Sequence, residues 1–325
     1  PGSYYGKSNF TRGNNKSRAV FGLEKYHGKE IYLTEAHTID MNAEIKKAVD
    51  AKKPFFAYMS HYAVHAPFNP DPRFAANYAE KKVSAKAKAF ATMIEGIDKS
   101  LGDMLDHLEK LGVAENTIVF FLGDNGSDAP LGPTHAIACA APLRGKKGTH
   151  YEGGMRVPFI AGWAKPDKNN ELQKGLPIPA GVLSSEKGTI CDLFPTILKL
   201  AGITHKGKID GGDLSKALTG GSLDRQFSFL MHFPHSHRSS YYTAYHEGDW
   251  KLVYHYTRPP EKRYELFNLA KDRAEAKNLA ADEPGHLHRM TTAMAAALKD
   301  ADALYPSARK EPGKKLLPIV PAKGS

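Results

Sequence analysis

The sequence predicts an α/β domain with a mainly parallel sheet sandwiched by helices, followed by a small antiparallel α+β subdomain. Residues 54–60 (PFFAYMS) and 116–123 (NTIVFFLG) are strand-length runs without polar alternation, which is typical of strands covered on both faces. Helical patterns alternate with these runs, and an order of helix, strand, helix, strand favours a parallel sheet. After about residue 220 the pattern changes to short alternating segments, which indicate the antiparallel subdomain.

Two helices are predicted in the first third of the chain. Residues 34–52 fit an amphipathic helix with Thr34 as its N-cap. Residues 85–111 fit a second amphipathic helix that ends at Gly112, because eight apolar side chains recur there at helical spacing. These side chains are Phe90, Met93, Ile94, Ile97, Leu101, Met104, Leu105 and Leu108.

The remaining elements follow in order along the chain. Residues 156–163 (RVPFIAGW) predict a third strand, and residues 190–201 predict a helix that ends before a glycine. Residues 239–256 alternate around a Gly-Asp pair, which is typical of a β-hairpin, and residues 264–269 (YELFNL) follow as a short strand. A last helix is predicted over roughly residues 285–303.

This pattern divides the 325-residue chain into three parts. We assign residues 1–219 to the α/β part, residues 220–304 to the small subdomain and residues 305–325 to an extended tail. The chain opens on Pro1, so we expect a mature or partial chain. Cys139 and Cys191 provide no disulfide framework, and we interpret them as buried free thiols.

Net charge and hydropathy indicate which classes of partner this chain is expected to bind. The chain has 45 Lys and Arg against 35 Asp and Glu, and this net charge of +10 favours an anionic partner. The basic residues are dispersed without a nucleic-acid-binding motif, so a nucleic acid is not expected as the partner. No stretch approaches the roughly 18–20 uncharged apolar residues of a membrane span, so none is predicted.

Polar side chains stand where the predicted strands end. In parallel α/β sheets, ligands bind at the carboxyl ends of the strands. Carboxylate and amide oxygens suit a hard cation, an imidazole can transfer a proton, and lysines neutralise anionic oxygens, so this set suits a sulfate or phosphate ester. The residues are His61 and His65 after the first run, Asp124 and Asn125 after the second, and Arg144, Lys146, Lys147, His150 and Glu152 before the third strand.

Each feature also has a structural interpretation when taken alone. Asp124-Asn125-Gly126 after a strand is typical of a turn, since Asn and Gly tolerate positive φ. His65 alone fits a hydrogen-bonded structural histidine, and Lys147 alone fits a surface lysine. Their order favours a site, because each lies at a strand end of one predicted sheet.

Five segments together resemble the type I sulfatases of the alkaline phosphatase superfamily, over about residues 30–300. The sequence is most similar to arylsulfatase and N-acetylgalactosamine-6-sulfatase-like enzymes, including bacterial polysaccharide sulfatases. The stretch 231–252 (MHFPHSHRSSYYTAYHEGDWKL) is similar to the HxPH-containing stretch of that branch. The five segments are HYAVHAPF, FFLGDNG, LRGKKGTHYEGGMRVPFIAGW, TICDLFPTILKLAG and GDWKLVY…YELFNLAKDRAEAKNLA.

The resemblance implies an alkaline phosphatase-like fold and roles for individual residues. Asp124 and Asn125 correspond to the pair that holds calcium together with two earlier aspartates. Lys147 corresponds to the lysine that contacts the sulfate, and His65 to the histidine that contacts the sulfate or protonates the leaving oxygen. A sulfated carbohydrate or aryl sulfate substrate and a periplasmic or secreted location are implied as well. Expected substrate contacts are Arg144, His135, His150, His232 and His235.

The sequence departs from the family at the nucleophile. The family's formylglycine is made from a C/S-x-P/A-x-R element, and the sequence contains none; the nearest segment, Cys139 to Arg144, has one residue too many before its proline. The two earlier aspartates are also missing. We therefore expect the C-terminal portion of a calcium-dependent sulfatase, inactive by itself, whose nucleophile and N-terminal segment lie outside this chain.

Two alternatives remain open. One is a non-catalytic sulfatase remnant that binds sulfated glycans through the same cationic residues. A sheet cut midway would leave strand edges exposed, which disfavours it. The other is a phosphate-ester hydrolase of the same superfamily. Such enzymes bind two metals through further Asp and His ligands, and no matching Asp-x-x-x-His cluster occurs in the sequence.

Overall fold

The computed structural model describes residues 1–13, 20–127, 140–236, 238, 241–308, 311 and 313–322. Within these residues, seven α-helices and six β-strands are formed. The helices are α1 (Leu33–Asp50), α2 (Ala85–Lys110), α3 (Glu152–Met155), α4 (Glu171–Gly175), α5 (Leu193–Leu200), α6 (Ser215–Leu218) and α7 (Pro284–Asp300). The strands are β1 (Ile118–Leu122), β2 (Phe159–Trp163), β3 (Ser228–Phe233), β4 (Tyr242–Glu247), β5 (Trp250–His255) and β6 (Tyr264–Asn268).

The chain divides into two compact units. The first contains Pro1–Val119 and Ala161–Pro177, and the second contains Phe120–Ile160 and Ile178–Ser325. The division runs through β1 and β2, so it does not follow the predicted boundary at residue 219, which stays a prediction. Among the described residues, no helix combines the length and apolar character needed to cross a bilayer.

The core of the first unit joins the N-terminal segment to α1 and α2. Tyr4, Phe10 and Met93 are fully buried in one cluster, so the N-terminal segment is packed into the core. Helix α2 is confirmed, and Ser84 caps it by accepting a hydrogen bond from the Ala87 N–H at 3.2 Å. The predicted Thr34 cap is wrong, because α1 begins one residue earlier and buries that side chain.

The two-stranded sheet of β1 and β2 differs from the predicted parallel arrangement. The Gly123 N–H bonds the Pro158 carbonyl at 3.2 Å, and the Ala164 N–H bonds the Thr117 carbonyl at 2.8 Å, so the strands run in opposite directions. Residues 54–60, predicted as a strand, form no strand in the structure. Apolar content alone does not make a strand, since the ladder needs a neighbour to pair with.

The second unit contains a four-stranded antiparallel sheet in the order β3-β4-β5-β6. The predicted hairpin is confirmed: Glu247 pairs with Trp250, and Gly248 between them has a φ of 56°, a value that favours glycine. Helix α7, also confirmed, buries Met290 and Met294 against the β5 and β6 side chains of Leu252 and Leu266. The predicted antiparallel α+β character of this region is therefore present.

The tail and the cysteines complete the description. The described part of the tail is attached to the sheet, because the Tyr264 hydroxyl donates to the Ile319 carbonyl at 2.7 Å. The assignment of residues 305–325 to an extended tail stays a prediction. Cys191 is an exposed free thiol, so its predicted burial is wrong. Cys139 lies outside the described residues.

Candidate functional site

The turn after β1 presents the two predicted calcium ligands. The Asn125 N–H donates to Asp124 Oδ1 at 2.9 Å, and Asn125 Nδ2 donates to the Gly126 carbonyl at 3.0 Å. These bonds fix both side chains. Asp124 Oδ2 and Asn125 Oδ1 take no part in these two bonds. Oxygen donors of this kind fit a hard cation, but two are fewer than the six to eight that calcium takes. The turn therefore fits part of a calcium site.

The loop 144–151, which carries Lys147, is joined directly to this turn. The Lys147 N–H donates to the Ser127 carbonyl at 2.8 Å, and the Gly126 N–H donates to the Gly154 carbonyl at 3.0 Å. A Cβ on Gly126 would lie 1.9 Å from the Gly153 carbonyl oxygen, so only glycine permits this approach. The structure thus joins the backbone of the Asp124-Asn125 turn to the backbone of the Lys147 loop, and the roles of these residues stay predictions.

The shape of the lysine loop depends on glycines and one threonine. Gly145 and Gly148 have φ values of 86° and 80°, which L side chains rarely adopt. Thr149 Oγ1 donates to the Lys146 carbonyl at 2.8 Å and closes the loop. The Gly153 N–H donates to the Arg144 carbonyl at 2.7 Å, which brings the end of the loop back to its start. Lys147 is half-buried, whereas Lys146 is exposed.

A buried ionic network, formed by Glu152, Lys251 and Glu275, lies at the base of the loop. Lys251 Nζ lies 2.9 Å from Glu152 Oε1 and 2.7 Å from Glu275 Oε1, and the Lys251 and Glu275 side chains are fully buried. Burial alone would raise the pKa of Glu152, but Lys251 and His246 outweigh it, so that pKa is lowered. For Glu275 burial dominates over Lys251, and its pKa is raised.

A second buried cluster binds the same loop to the four-stranded sheet. Glu265 Oε2 lies 3.1 Å from His150 Nε2 and 3.0 Å from His255 Nε2, and the Tyr151 hydroxyl donates to Glu265 Oε1 at 3.0 Å. Burial tends to raise the pKa of Glu265, but the two imidazoles hold it well below its usual range. Burial lowers the pKa of His150.

The composition of this cluster is also that of a possible metal centre. Its three ligand atoms lie within 4.8 Å of one another, and two imidazoles with a carboxylate suit zinc. However, His150 Nδ1 is buried without a hydrogen-bond partner in the described structure. A metal on Nε2 would force a hydrogen onto that atom and leave a buried donor unsatisfied. Two imidazole N–H groups donating to Glu265 avoid that cost and account for the geometry better.

The predicted substrate contacts have different environments. The Arg144 guanidinium lies 3.9 Å from the centre of the Tyr151 ring and donates to the Glu275 carbonyl at 2.9 Å, so it holds the loop. His150 is only 2% exposed, inside the glutamate cluster. His232 lies between Thr243 Oγ1 and the Leu304 carbonyl, at 2.7 and 2.5 Å.

Two further residues lie on the segment after β3. His235 is exposed, and its ring is tilted by 47° against that of Phe233 with ring centres 4.0 Å apart. Arg238, which the sequence interpretation did not single out, donates to the Lys147 carbonyl at 3.4 Å. His135 lies outside the described residues.

His65 belongs to the first unit, in the loop after residues 54–60. Its ring is exposed, and Nδ1 lies 2.8 Å from the Ala66 carbonyl. A carbonyl only accepts, so Nδ1 carries the hydrogen and Nε2 of the neutral ring is left as an acceptor. The Tyr4 hydroxyl lies 2.6 Å from the Tyr62 carbonyl and 2.8 Å from the His65 carbonyl, which holds the loop to the core.

Comparison with known families gives two matches. The Sulfatase family model matches residues 2–203, and the model for the C-terminal region of N-sulphoglucosamine sulphohydrolase matches residues 146–303. The first match covers the turn after β1, the lysine loop and the His65 loop. The second covers the lysine loop and the four-stranded sheet.

Individual relatives agree with these matches. A sulfatase from Formosa agariphila is 31% identical over 281 residues, which cover 79% of this chain and 47% of that protein. The N-acetylgalactosamine-6-sulfatase of Canis lupus familiaris is 37% identical, over 60% of this chain and 33% of the relative. The chain therefore spans between about a third and a half of the length of these curated relatives.

A solved structure shares the fold. The crystal structure of Ps i-CgsB in complex with k-i-k-neocarrahexaose aligns with a TM-score of 0.72 and 25% sequence identity. The alignment covers 95% of this chain and 66% of that chain. At this level of similarity the described α/β elements belong to the same overall fold.

Proposed function

This chain belongs to the sulfatase family, and we propose that it forms part of a sulfuric ester hydrolase that removes sulfate from a sulfated carbohydrate. The observation that carries the proposal is the junction of the Asp124-Asn125 turn with the Lys147 loop through two backbone hydrogen bonds. That junction supports a site in which the oxygen ligands of a cation act together with the Lys147 ammonium group. A sulfate ester needs both, because its non-bridging oxygens carry the charge that must be stabilised.

Each residue has a role that its surroundings support. The Lys147 ammonium is proposed to bind a sulfate oxygen directly. His65 is proposed to give a proton from Nε2 to the leaving oxygen when the ring is in its doubly protonated form, while the Nδ1 hydrogen stays bonded to the Ala66 carbonyl. Asp124 and Asn125 are proposed to hold calcium together with ligands from outside this sequence. When bound, calcium would supply positive charge that stabilises the sulfuryl oxygens.

The nucleophile is proposed to be a formylglycine outside these 325 residues, because the sequence has no C/S-x-P/A-x-R element. An N-terminal sulfatase segment that carries it is the partner that the proposal requires. The chain alone is therefore expected to release no sulfate. A periplasmic or secreted location is part of the proposal and rests on the family alone.

The substrate class is proposed from three supports. One relative is named for an N-acetylgalactosamine 6-sulfate substrate, and one solved neighbour was crystallised with a neocarrahexaose. The net charge of +10 favours an acidic polysaccharide. Arg238, which contacts the lysine loop, and the exposed His235 offer a guanidinium and an imidazole with which a sulfated sugar can hydrogen-bond.

The proposal is tested by the binding of inorganic sulfate to the chain, measured by calorimetry in low salt. Lys147→Ala should weaken sulfate binding by about tenfold, the effect of losing a charge-assisted contact of roughly 1.4 kcal/mol. Lys146→Ala is the matched control, because this neighbour is exposed and should leave affinity unchanged. Equal effects of the two substitutions would contradict the assignment of Lys147.

A second measurement separates an enzyme from a glycan-binding remnant. Release of sulfate from 4-nitrophenyl sulfate and from sulfated oligosaccharides is measured for the full-length gene product and for this chain. Turnover by the former alone supports the proposed function. Binding of a sulfated oligosaccharide without turnover by either protein would favour the remnant, and turnover by this chain alone would contradict an external nucleophile.

A further inference from the structure

Lys251 occupies an unusual position for a lysine. It is the second residue of β5, paired in register with His246 on β4 and Phe267 on β6, and its side chain is 0% exposed. A buried ammonium group is costly unless it is paired and hydrogen-bonded. Here it lies between two carboxylates, those of Glu152 and Glu275. Apolar side chains could fill this space at less cost, so the ionic network needs an explanation.

Glu275 binds both ends of the lysine loop. Its carbonyl accepts a hydrogen bond from Arg144 Nη1 at 2.9 Å, at the start of the loop. Its Oε2 accepts the Glu152 N–H at 2.7 Å, at the end of the loop. Lys251 in turn holds the Glu275 side chain through Oε1 at 2.7 Å. The buried Lys251–Glu275 pair therefore fixes the distance between the start and the end of the loop. Lys147 lies between these two ends.

The same contacts continue to the calcium-ligand turn. Glu152 is followed by Gly153 and Gly154, whose backbones bond Arg144 and Gly126. A Cβ on Gly153 would lie 2.6 Å from the carbonyl oxygens of Arg144 and Gly145, so this stretch has no room to shift. Movement of Glu152 would therefore be transmitted to Gly126 and to the side chains before it.

We propose that Lys251 is a positioning residue for the anion-binding loop, which it holds through Glu152 and Glu275 so that Lys147 and the Asp124-Asn125 turn stay together. Lys251 is fully buried and does not itself reach a substrate. What the loop binds rests on the proposed function, whereas the mechanical role of Lys251 does not. Directional ionic contacts suit this task, because apolar packing fixes volume but not register.

Hydrogen exchange measured by NMR tests the positioning role directly. The relevant amides are those of Gly126, Lys147 and Gly153, each of which donates to a described carbonyl of the loop or turn. In Lys251→Met these three should exchange at least about tenfold faster than in the unaltered chain. Amides of the β4–β5 ladder should keep their rates. Lys187→Met, which removes an ion pair with Asp249 at the hairpin turn, is the control and should change none of the loop amides.

A second variant guards against unfolding of Lys251→Met. Glu152→Gln keeps the Lys251–Glu275 pair and removes one charge from the network, so it should accelerate the same three amides by a smaller factor. Unchanged loop amides in the folded variants, or acceleration of the sheet amides by the same factor, would overturn the proposal.

Sulfate titration separates this inference from the proposed function. Lys251→Met should weaken inorganic sulfate binding by about the same factor as Lys147→Ala, although it removes no group that reaches the anion. If the unaltered chain binds no sulfate, the proposed function fails, and the exchange rates still decide the role of Lys251.

Discussion

The four-stranded sheet and the β1–β2 pair differ in how far their apolar side chains are buried. In the four-stranded sheet, Leu252 and Leu266 are fully buried under α7. In the β1–β2 pair, Phe121, Phe159 and Ile160 are 36%, 43% and 63% exposed. The free energy of folding should therefore reside mainly in the covered sheet, whereas the β1–β2 pair carries the Asp124-Asn125 turn. Partly exposed apolar strands of this kind usually mark surfaces that contact something else.

The largest expected effect tests this difference in burial. Leu252→Ala should lower the free energy of unfolding by about 2–5 kcal/mol, because it leaves a cavity in the packed core. Ile160→Ala should change it by no more than about 0.5 kcal/mol, since most of that side chain is already in water. Urea denaturation of both variants followed by circular dichroism measures the two values. Equal losses would show that the β1–β2 pair is as well covered as the other sheet.

The next effect concerns pH and the buried His246. Burial, followed by the charge of Lys251, lowers the pKa of His246 to about 4. The ring lies near Phe227 and Phe229, with centres 6.3 and 6.1 Å away. The unfolded chain has the ordinary value of about 6.5, so it binds the proton first as the pH falls. Stability from this group is complete above about pH 6.5 and should be lost towards pH 4, by about 3 kcal/mol.

The variant His246→Leu isolates this contribution. His61 in the first unit also has a pKa lowered to about 4 by burial, and it remains in both proteins. As the pH falls from 6.5 to 4, the free energy of unfolding of the unaltered chain should therefore fall by more than that of the variant. A difference that is independent of pH would mean that His246 is not held neutral in the folded sheet.

The smallest expected effect is the stabilisation of the chain by calcium at the turn after β1. Two ligands alone bind calcium weakly, so 10 mM calcium should stabilise the chain by about 1 kcal/mol or less. Asp124→Ala should abolish this stabilisation, measured as a shift in the thermal midpoint. Asp224→Ala is the control, because its side chain is 85% exposed in an ion pair with Lys216. Loss of the calcium effect in both variants would indicate non-specific screening.

Local patterns predicted the elements that depend on neighbours in sequence. Helix α2 follows from apolar spacing, and the β4–β5 hairpin from alternation around Gly248. The sequence also predicted that Asp124 and Lys147 stand at strand ends of one sheet, and the backbone of the Lys147 loop bonds the turn after β1 at Ser127. Residues 54–60 show the limit of this reasoning, since a strand is defined by a partner that composition does not reveal.

The ionic network escaped prediction for a related reason. In the sequence, Glu152 lies 99 positions before Lys251 and 123 positions before Glu275. Spacing rules apply within one helix or hairpin and cannot pair such residues. One signal was available: the lysine at the second position of WKLVYH, a run otherwise suited to burial, needs a buried carboxylate if the fold buries it.

The attachment of the loop to Glu275 also sets an order of folding. Arg144 and Glu275 are separated by 131 positions, and closing so long a segment is slow compared with forming a hairpin or a helix. During synthesis, the loop leaves the ribosome well before residues 251 and 275 exist. We therefore expect the loop to reach its final geometry only after residues 251 and 275 have taken their places in the fold.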